Sequence, residues 1–198
     1  RFVGPVLPEA SSNADLPHWW HELETVECPV VHVTQGTIDN KDMNRVIRPT
    51  IDALAQHKLL LVVTTGGRPI AELGPLPANV RAAEFLPYDR LMPLTDLFVT
   101  NAGYGGTQFA LSHGVPIIAA GDTEDKAEVS ARVAWSGVGL NLKTGKPTPA
   151  AIAAAVDCVL AEPSYRARAK SMAAAISSQN TLASIEGELQ QLIASRSH

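Results

Sequence analysis

A glycine-rich stretch in the middle of the chain carries the residues best suited to chemistry. Residues 100–107 read Thr-Asn-Ala-Gly-Tyr-Gly-Gly-Thr and lie between the apolar run 97–99 and a segment of helical character, 108–113. Glycines at a strand-to-helix turn let the backbone approach a diphosphate closely, and the free amides and positive dipole end of the next helix favour an anion. The stretch therefore predicts a site for a nucleotide-linked ligand.

Two shorter turns have the same character. Gly36 and Thr37 follow the apolar run 30–34, where a hydroxyl can donate to a phosphate oxygen while the glycine leaves room for it. Arg68 closes the phrase Thr-Gly-Gly-Arg at 65–68, and its forked guanidinium could pair with a phosphate. The alternatives are an ordinary tight turn for the first phrase and a solvated surface arginine for the second.

Strand-like and helix-like segments alternate around these turns. The apolar runs are bounded by Gly, Pro or Asn, and a helix is predicted over 43–57 between the first two runs. Because the runs are almost continuously apolar, they indicate a parallel sheet covered on both faces, with ligands outside the carboxyl ends of its strands. We expect an α/β fold with a doubly wound, Rossmann-like parallel sheet of about six strands: residues 30–34, 59–64, 80–85, 97–100, 115–119 and 138–142.

The remainder of the chain is predicted to pack around this sheet. Thr148 and Pro149 are typical of a helix start, and two further helical stretches follow between 164 and 193. The last stretch carries an apolar stripe that could face a missing part of the protein: Leu182, Ile185, Leu189, Leu192 and Ile193. The three tryptophans, Trp19, Trp20 and Trp135, are predicted to be packing residues.

Composition excludes several classes of function. With 198 residues, 45% hydrophobic and 18% charged, the chain suits one compact domain. A net charge of -4 provides no basic field for nucleic acid, and no apolar run approaches the roughly 20 residues that span a bilayer. Cys28, Cys158 and the six histidines lack metal-ligand spacing, so we expect no metal and a reducing, cytoplasmic setting. The glycines follow a late strand, which disfavours an NAD enzyme.

Four phrases occur together between residues 85 and 133. They are Phe85-Leu86-Pro87, Asn101-Ala102-Gly103, Gly114-Val115-Pro116 and Asp125-Lys126. This region resembles the signature of nucleotide-sugar-dependent glycosyltransferases of the two-domain GT-B fold, the group of the UDP-glucuronosyltransferases, plant secondary-product glucosyltransferases and bacterial antibiotic and macrolide glycosyltransferases. The resemblance implies the C-terminal, donor-binding half of such an enzyme.

The resemblance also implies roles for single residues. Phe85 would flank the nucleobase and backbone groups of Leu86 would read its edge, the glycine-rich turns would hold the diphosphate, and Asp125 with Lys126 would meet sugar hydroxyls. The implied donor-binding residues are Gly36, Thr37, Arg68, Phe85, Leu86, Asn101, Gly103, Gly105, Gly106, Thr107, Asp125 and Lys126. The sequence departs from the family pattern at three of its positions. Asn101 replaces the usual histidine, Phe109 stands at the acid that commonly binds ribose, and Lys126 replaces a glutamine. The alternative for Lys126 is a surface ion pair with Glu124 or Asp122.

The activity implied is transfer of a hexose or deoxyhexose from a UDP- or dTDP-sugar to a hydroxyl of a lipophilic small molecule, with no cofactor. The base is expected to be a histidine of the N-terminal domain, so this chain would hold no catalytic residue and be inactive alone. Residues 1–29 are predicted to be a lead-in, 30–162 the donor-binding domain, and 163–198 a tail that returns toward the N-terminal domain. Since the chain starts at Arg1 without an initiator Met, we expect a fragment. The alternatives are a nucleotide-sugar module that acts with a separate partner chain, and an epimerase-like protein.

Overall fold

A computed structural model describes residues 3–7 and 15–196 of the protein. They form one six-stranded sheet with helices on both faces. The strands are β1 (Val30–Thr34), β2 (Leu60–Thr64), β3 (Val80–Ala83), β4 (Leu97–Thr100), β5 (Ile117–Ala119) and β6 (Gly139–Asn141). The helices are α1 (His21–Thr25), α2 (Ile47–Leu54), α3 (Tyr88–Leu91), α4 (Tyr104–Ser112), α5 (Lys126–Trp135), α6 (Pro149–Ala161), α7 (Pro163–Ser177) and α8 (Thr181–Arg196).

The sheet is wound outward in both directions from its centre. Its strand order is β3-β2-β1-β4-β5-β6, and every neighbouring pair is parallel. After β3 the chain returns to the other side of β1, places β4 there and continues in the opposite direction. The switch point of the sheet therefore lies between β1 and β4, and the loops that follow these two strands diverge to opposite faces. The predicted six-stranded, doubly wound α/β fold is confirmed.

Alternating side chains bind the two helical layers to the sheet. Val31 and Val33 of β1 point into a core that includes α2 and α6. Val30 and His32 lie on the opposite face, whose buried side chains come from α1, α3, α4, α5 and α7. All five residues of β1 are buried, as expected for a central parallel strand covered on both sides.

Threonines end three neighbouring strands at the same level. Thr64, Thr34 and Thr100 lie in register across β2, β1 and β4. The hydroxyl of Thr34 donates to the carbonyl of Thr64 at 3.0 Å and accepts from the amide of Gly36 at 3.2 Å. The hydroxyl of Thr100 accepts from the amide of Ala102 at 3.2 Å. These hydroxyls hold the first residues of the loops that leave the sheet.

Helices α6 and α7 pack against the rest of the domain, whereas α8, which follows them, is largely exposed. Thr148 caps α6 by accepting from the amide of Ala151 at 3.2 Å, as predicted. Arg166 of α7 donates to the carboxylate of Asp96 at 3.0 Å and to its carbonyl at 2.6 Å, which ties α7 to the start of β4. Helix α8 leaves four apolar side chains exposed: Leu182, Leu189, Leu192 and Ile193.

Several predicted boundaries were wrong for identifiable reasons. Helix α2 begins at Ile47, not at residue 43, because the side-chain oxygen of Gln35 accepts from the amides of Val46 and Ile47 and caps the helix there. Strand β3 ends at Ala83, not at residue 85, since the next carbonyl, that of Glu84, accepts from the amide of Gly66 in the adjacent turn.

The prediction for Trp135 was also wrong. Trp19 and Trp20 are buried beside β1 and β2, as expected, but the side chain of Trp135 is 90% exposed. Trp135 is the last residue of α5, whose Val129 and Val133 face the core, so the helical period turns the indole away from it. Over residues 3–7 and 15–196, no helix has both the length and the apolar character needed to cross a bilayer.

Candidate functional site

A cavity of about 300 Å³ opens at the carboxyl ends of the central strands, where the winding reverses. Seven of the residues predicted to bind a donor line it: Gly36, Thr37, Phe85, Leu86, Asn101, Gly103 and Gly106. Six further residues complete the lining: Thr34, Thr64, Gly66, Glu84, Tyr88 and Thr100. The sheet topology thus brings together turns that are up to 70 residues apart in sequence.

The N-terminus of α4 forms one wall of this cavity. The helix begins at Tyr104, so Gly105 and Gly106 lie in its first turn and not in a preceding loop as the sequence indicated. Its N-cap, Gly103, provides no side-chain cap, which leaves the first amides and the positive end of the helix dipole for another acceptor. Opposite lies Thr37, whose exposed side chain has no hydrogen-bond partner among the described residues. These groups suit an anion such as a diphosphate.

Asn101 connects the two loops that flank the cavity. Its side-chain nitrogen donates to the carbonyl of Gln35 at 2.6 Å and, at 3.5 Å, to that of Asp39, and the residue is only 7% exposed. The following residue, Ala102, is buried and has a φ of 63°, a conformation that costs a non-glycine residue energy and turns the chain into α4. The amide nitrogen expected at a phosphate therefore already bonds to the backbone, and a role for Asn101 on the ligand stays a prediction.

Phe85 lies at the other end of the cavity. Its side chain is 64% exposed, and its ring lies beside Gly67, where an added Cβ would come within 2.8 Å of the ring carbon Cζ. Gly66 is equally constrained, because a Cβ there would come within 2.0 Å of the carbonyl oxygen of Gly36. The absence of side chains at 66 and 67 allows the turn after β2 to contact both the first loop and the aromatic ring.

A buried histidine lies beneath the cavity. His32 of β1 donates from Nδ1 to the carbonyl of Val62 at 3.0 Å, so its Nε2, 3.1 Å from the hydroxyl of Tyr88, accepts from that hydroxyl. The imidazole stacks on Phe98 with ring centroids 5.1 Å apart. Burial lowers the pKa of His32 to about 4, so the ring is neutral at physiological pH. It orients Tyr88, which lines the cavity.

A charged network lies beside the cavity. Arg45 donates to both carboxylate oxygens of Asp39 at 3.0 and 3.2 Å, to Asp122 at 2.8 Å and to the carbonyl of Gly145 at 3.3 Å. Lys126, predicted to meet sugar hydroxyls, is 5% exposed and pairs with Glu124 and, at 3.7 Å, with Asp39. The loops after β1, β5 and β6 are therefore joined by ion pairs and hydrogen bonds.

Five of the predicted donor-binding residues lie outside this cavity. Arg68 pairs with Glu72 near the surface, and Asp125 is exposed before α5. Thr107 is buried, and its hydroxyl has no hydrogen-bond partner among the described residues. Gly105 lines an adjoining cavity of about 600 Å³ that also contacts Phe85, and Lys126 belongs to the charged network. The roles of these five residues remain predictions.

Sequence reasoning missed part of the lining, although a signal was present. Three of the apolar runs, 30–34, 59–64 and 97–100, each end in a threonine: Thr34, Thr64 and Thr100. Parallel strands that end in the same residue type indicate a shared polar level at the sheet edge. Tyr88 and Glu84 had no comparable signal, since only the packing of β3 and α3 brings them to the cavity. No group of three or more His, Cys, Asp or Glu that could hold a metal ion occurs among the residues the structure describes.

The parallel sheet and the position of the cavity define a Rossmann-like α/β domain with its site at the topological switch point. Residues 48–192 match the family described as "Erythromycin biosynthesis protein CIII-like, C-terminal domain". The chain belongs to this family of C-terminal domains of GT-B glycosyltransferases. The predicted family and fold are confirmed.

Similar proteins extend well beyond the region that this chain covers. It is 50% identical over 169 residues to 4'-demethylrebeccamycin synthase of Lentzea aerocolonigenes, covering 85% of this chain and 39% of that protein. It is 38% identical over 201 residues to UDP-glycosyltransferase 2 of Phaeomoniella chlamydospora, covering 98% and 44%. The solved structure of glycosyltransferase VinC in complex with dTDP matches with a TM-score of 0.75 and 29% identity, covering 90% and 44%. The chain thus spans less than half the length of these proteins.

Proposed function

We propose that this chain is the donor-binding domain of a glycosyltransferase that moves a hexose or deoxyhexose from a UDP- or dTDP-linked donor to a hydroxyl of a lipophilic small molecule. The observation that carries the proposal is the convergence of two loops, 36–37 and 101–106, on one cavity at the switch point of the sheet. The family match supports it, and so does the bound dTDP of the similar VinC structure.

The chemistry assigned to this domain is stabilisation of the departing diphosphate. As the bond between the sugar and the diphosphate breaks, negative charge develops on the leaving phosphate oxygens. The free amides at the start of α4 and the hydroxyl of Thr37 are suited to donate to those oxygens, and the helix dipole favours the charge. Among the described residues that line the cavity, none is a cation, so the proposed stabilisation comes from neutral donors.

The acceptor and the base are assigned to the N-terminal domain of the full enzyme. The reaction needs a group that removes the proton from the acceptor hydroxyl. His32 is buried beneath the cavity and is held by Val62 and Tyr88, so it is unsuited to that task. We therefore expect this chain to bind the nucleotide but to transfer no sugar by itself. No metal or other cofactor is part of the proposal.

Titration calorimetry of the 198-residue chain with UDP, dTDP, UDP-glucose and GDP tests the proposal. We expect binding of a pyrimidine diphosphate, and we expect Thr37→Ala to weaken it by about 1 to 3 kcal/mol through loss of a charge-assisted hydrogen bond. The matched control is Thr25→Ala, at an exposed position on α1. Failure of all four ligands to bind, or equal effects of the two substitutions, would contradict the proposal.

Incubation with a UDP-sugar and a panel of hydroxylated aglycones distinguishes the two alternatives named from the sequence. Transfer of sugar by the isolated chain would refute the assignment of the base to another domain. Recovery of transfer only after addition of a separate protein would favour a two-chain system, whereas conversion of the nucleotide sugar to an isomer would favour an epimerase-like protein. The glycosyltransferase names of the similar proteins do not favour this last alternative.

A further inference from the structure

Among the described residues that line the cavity, Glu84 is the one that is charged, and the function above leaves it unexplained. It directly follows β3, and its backbone carbonyl accepts from the amides of Gly66 at 2.9 Å and Gly67 at 3.3 Å, so the position of the residue is fixed. Its side chain is exposed, lines the cavity and forms no hydrogen bond or ion pair with the residues that the structure describes. The carboxylate is therefore free to accept hydrogen bonds from the hydroxyls of a ligand that enters the cavity.

Glu84 lies apart from the proposed diphosphate site, which is formed by loops 36–37 and 101–106. That site lies at the ends of β1 and β4, and β3 is two strands away from β1. Neighbouring strands are about 4.8 Å apart, so the end of β3 lies about 10 Å from the end of β1. A carboxylate beside the diphosphate would repel it, whereas at this distance the ribose of a nucleoside diphosphate comes between the two.

The aromatic ring next to Glu84 sets the direction of the nucleotide. Phe85 turns its exposed ring toward the same cavity and lies beside Gly67. If the base lies along this ring and the phosphates lie at α4, the ribose occupies the middle of the cavity, beside β2 and β3. The hydroxyls of the ribose then face the carboxylate of the preceding residue.

The other polar side chains on this side of the cavity already have partners. The hydroxyl of Tyr88 is bonded to His32, and that of Thr34 donates to the carbonyl of Thr64. Phe109, on α4, packs edge-on against Tyr88, and its side chain has no polar atom that could accept a hydrogen bond. Glu84 is left as the charged acceptor for a diol.

We infer that the carboxylate of Glu84 accepts hydrogen bonds from the 2′- and 3′-hydroxyls of the donor nucleotide. The chain therefore selects a ribonucleoside diphosphate, such as UDP, over its 2′-deoxy counterpart. This inference rests on the proposed nucleotide-binding function, and it decides between the UDP- and dTDP-linked donors that the sequence left open.

Calorimetric titration of the full chain with UDP and with 2′-deoxyuridine diphosphate tests the inference, because this pair differs only in the 2′-hydroxyl. The unsubstituted chain should bind UDP about tenfold more tightly, a difference equal to one charge-assisted hydrogen bond. In Glu84→Ala the ratio of the two affinities should fall below about twofold, mainly through weaker binding of UDP. Glu128→Ala removes an equal charge at an exposed position on α5 and should keep the original ratio.

Each contrary result has a distinct meaning. An unchanged ratio in Glu84→Ala, or equally tighter binding of both nucleotides, would overturn the role of Glu84 while leaving nucleotide binding intact. Absence of UDP binding by the unsubstituted chain would overturn the proposed function and this inference with it. Circular dichroism of the variant separates these outcomes from misfolding, since Glu84 is exposed and its replacement should leave the spectrum unchanged.

Discussion

Single residues at the cavity are held by contacts that a sequence pattern does not display. Asn101 was predicted to touch phosphate, but its amide nitrogen bonds to the backbone of Gln35 and joins the two flanking loops. The exposed ring of Phe85 occupies space that a side chain at position 67 would fill. His32 takes the place of an apolar residue on a buried strand and fixes the hydroxyl of Tyr88. The side chains that shape the cavity thus depend on neighbours that do not line it.

Substitution of Gly67 tests the support of the aromatic ring. Gly67→Ala places a Cβ within 2.8 Å of Phe85 at a φ of 89°, so we expect displacement of the ring and at least a tenfold loss of UDP affinity. Gly74→Ala is the matched control, since its φ is 65° but its Cβ would meet nothing closer than 4.0 Å. Both variants should lose about 1 kcal/mol of stability. Equal UDP affinity in the two variants would contradict the prediction.

The lowered pKa of His32 predicts a loss of stability in acid. The folded-state pKa is about 4 and the ordinary pKa of histidine is 6.5, so the unfolded chain binds the proton more readily. The stabilisation is complete above pH 6.5 and decreases as the pH falls from there to about 4, by about 2 kcal/mol between pH 7 and pH 5. Urea unfolding at both pH values should show this decrease in the unsubstituted chain and in His57→Gln, but not in His32→Gln. The same decrease in His32→Gln would refute the assignment.

At the scale of elements, the loops at the carboxyl edge are positioned by each other as much as by their own strands. Arg45, which precedes α2, contacts Asp39 of its own loop, Asp122 after β5 and Gly145 after β6. These loops belong to strands that the sequence separates widely, so the chain closes around the site only when the sheet has formed. The same network holds the ammonium group of Lys126.

Replacement of Arg45 should loosen all three loops together. Its side chain is 18% exposed, and Arg45→Ala leaves the Gly145 carbonyl without this donor and Asp39 with only Thr123 and Lys126, so we expect a loss of about 1 to 3 kcal/mol. Arg132→Ala, which breaks an exposed pair with Glu128, should cost less than about 1 kcal/mol. The free energy of unfolding in urea measures both. A cost for Arg45→Ala no greater than for Arg132→Ala would show that the network does not hold the loops.

The whole molecule has a tightly buried sheet and an exposed C-terminal apolar surface. Ile152 of α6 is fully buried between the sheet and α2, whereas Leu192 of α8 is 60% exposed. The predicted return of residues 163–198 toward an N-terminal domain remains a prediction, but it accounts for the unpacked leucines of α8. The boundaries at 29 and 162 likewise remain predictions, and part of the lead-in, 8–14, lies outside the described residues.

Alanine substitutions compare these two regions in the isolated chain. Ile152→Ala should lower the free energy of unfolding by about 2 to 5 kcal/mol, because it removes fully buried methyl and methylene groups. Leu192→Ala should change it by less than about 0.5 kcal/mol. Urea unfolding monitored by circular dichroism provides both values. A large cost at Leu192 would show that α8 docks on this domain and not on a different surface.

Much of the architecture was predictable from particular residues. Apolar runs such as Val30–Thr34 are too continuous for a half-exposed strand, so they indicated a parallel, covered sheet. Thr148 and Pro149 marked the start of α6 correctly. The start of α2 was not predictable in this way, because its cap is the side chain of Gln35, a residue eleven positions before Val46. The exposure of Trp135 was missed because residue type alone does not tell which side of α5 it occupies.

By itself, the sequence determined the order of strands and helices, the glycine-rich turns and the family, since these depend on local periodicity and on residues adjacent in the chain. Only the tertiary structure decided which turns share a cavity, because strand order places β1 beside β4, and β3 two strands from β1. It also decided that Lys126 and Arg68 are paired with carboxylates while Glu84 is not. A charged side chain acts according to its nearest neighbours, and in a doubly wound sheet those neighbours come from distant parts of the chain.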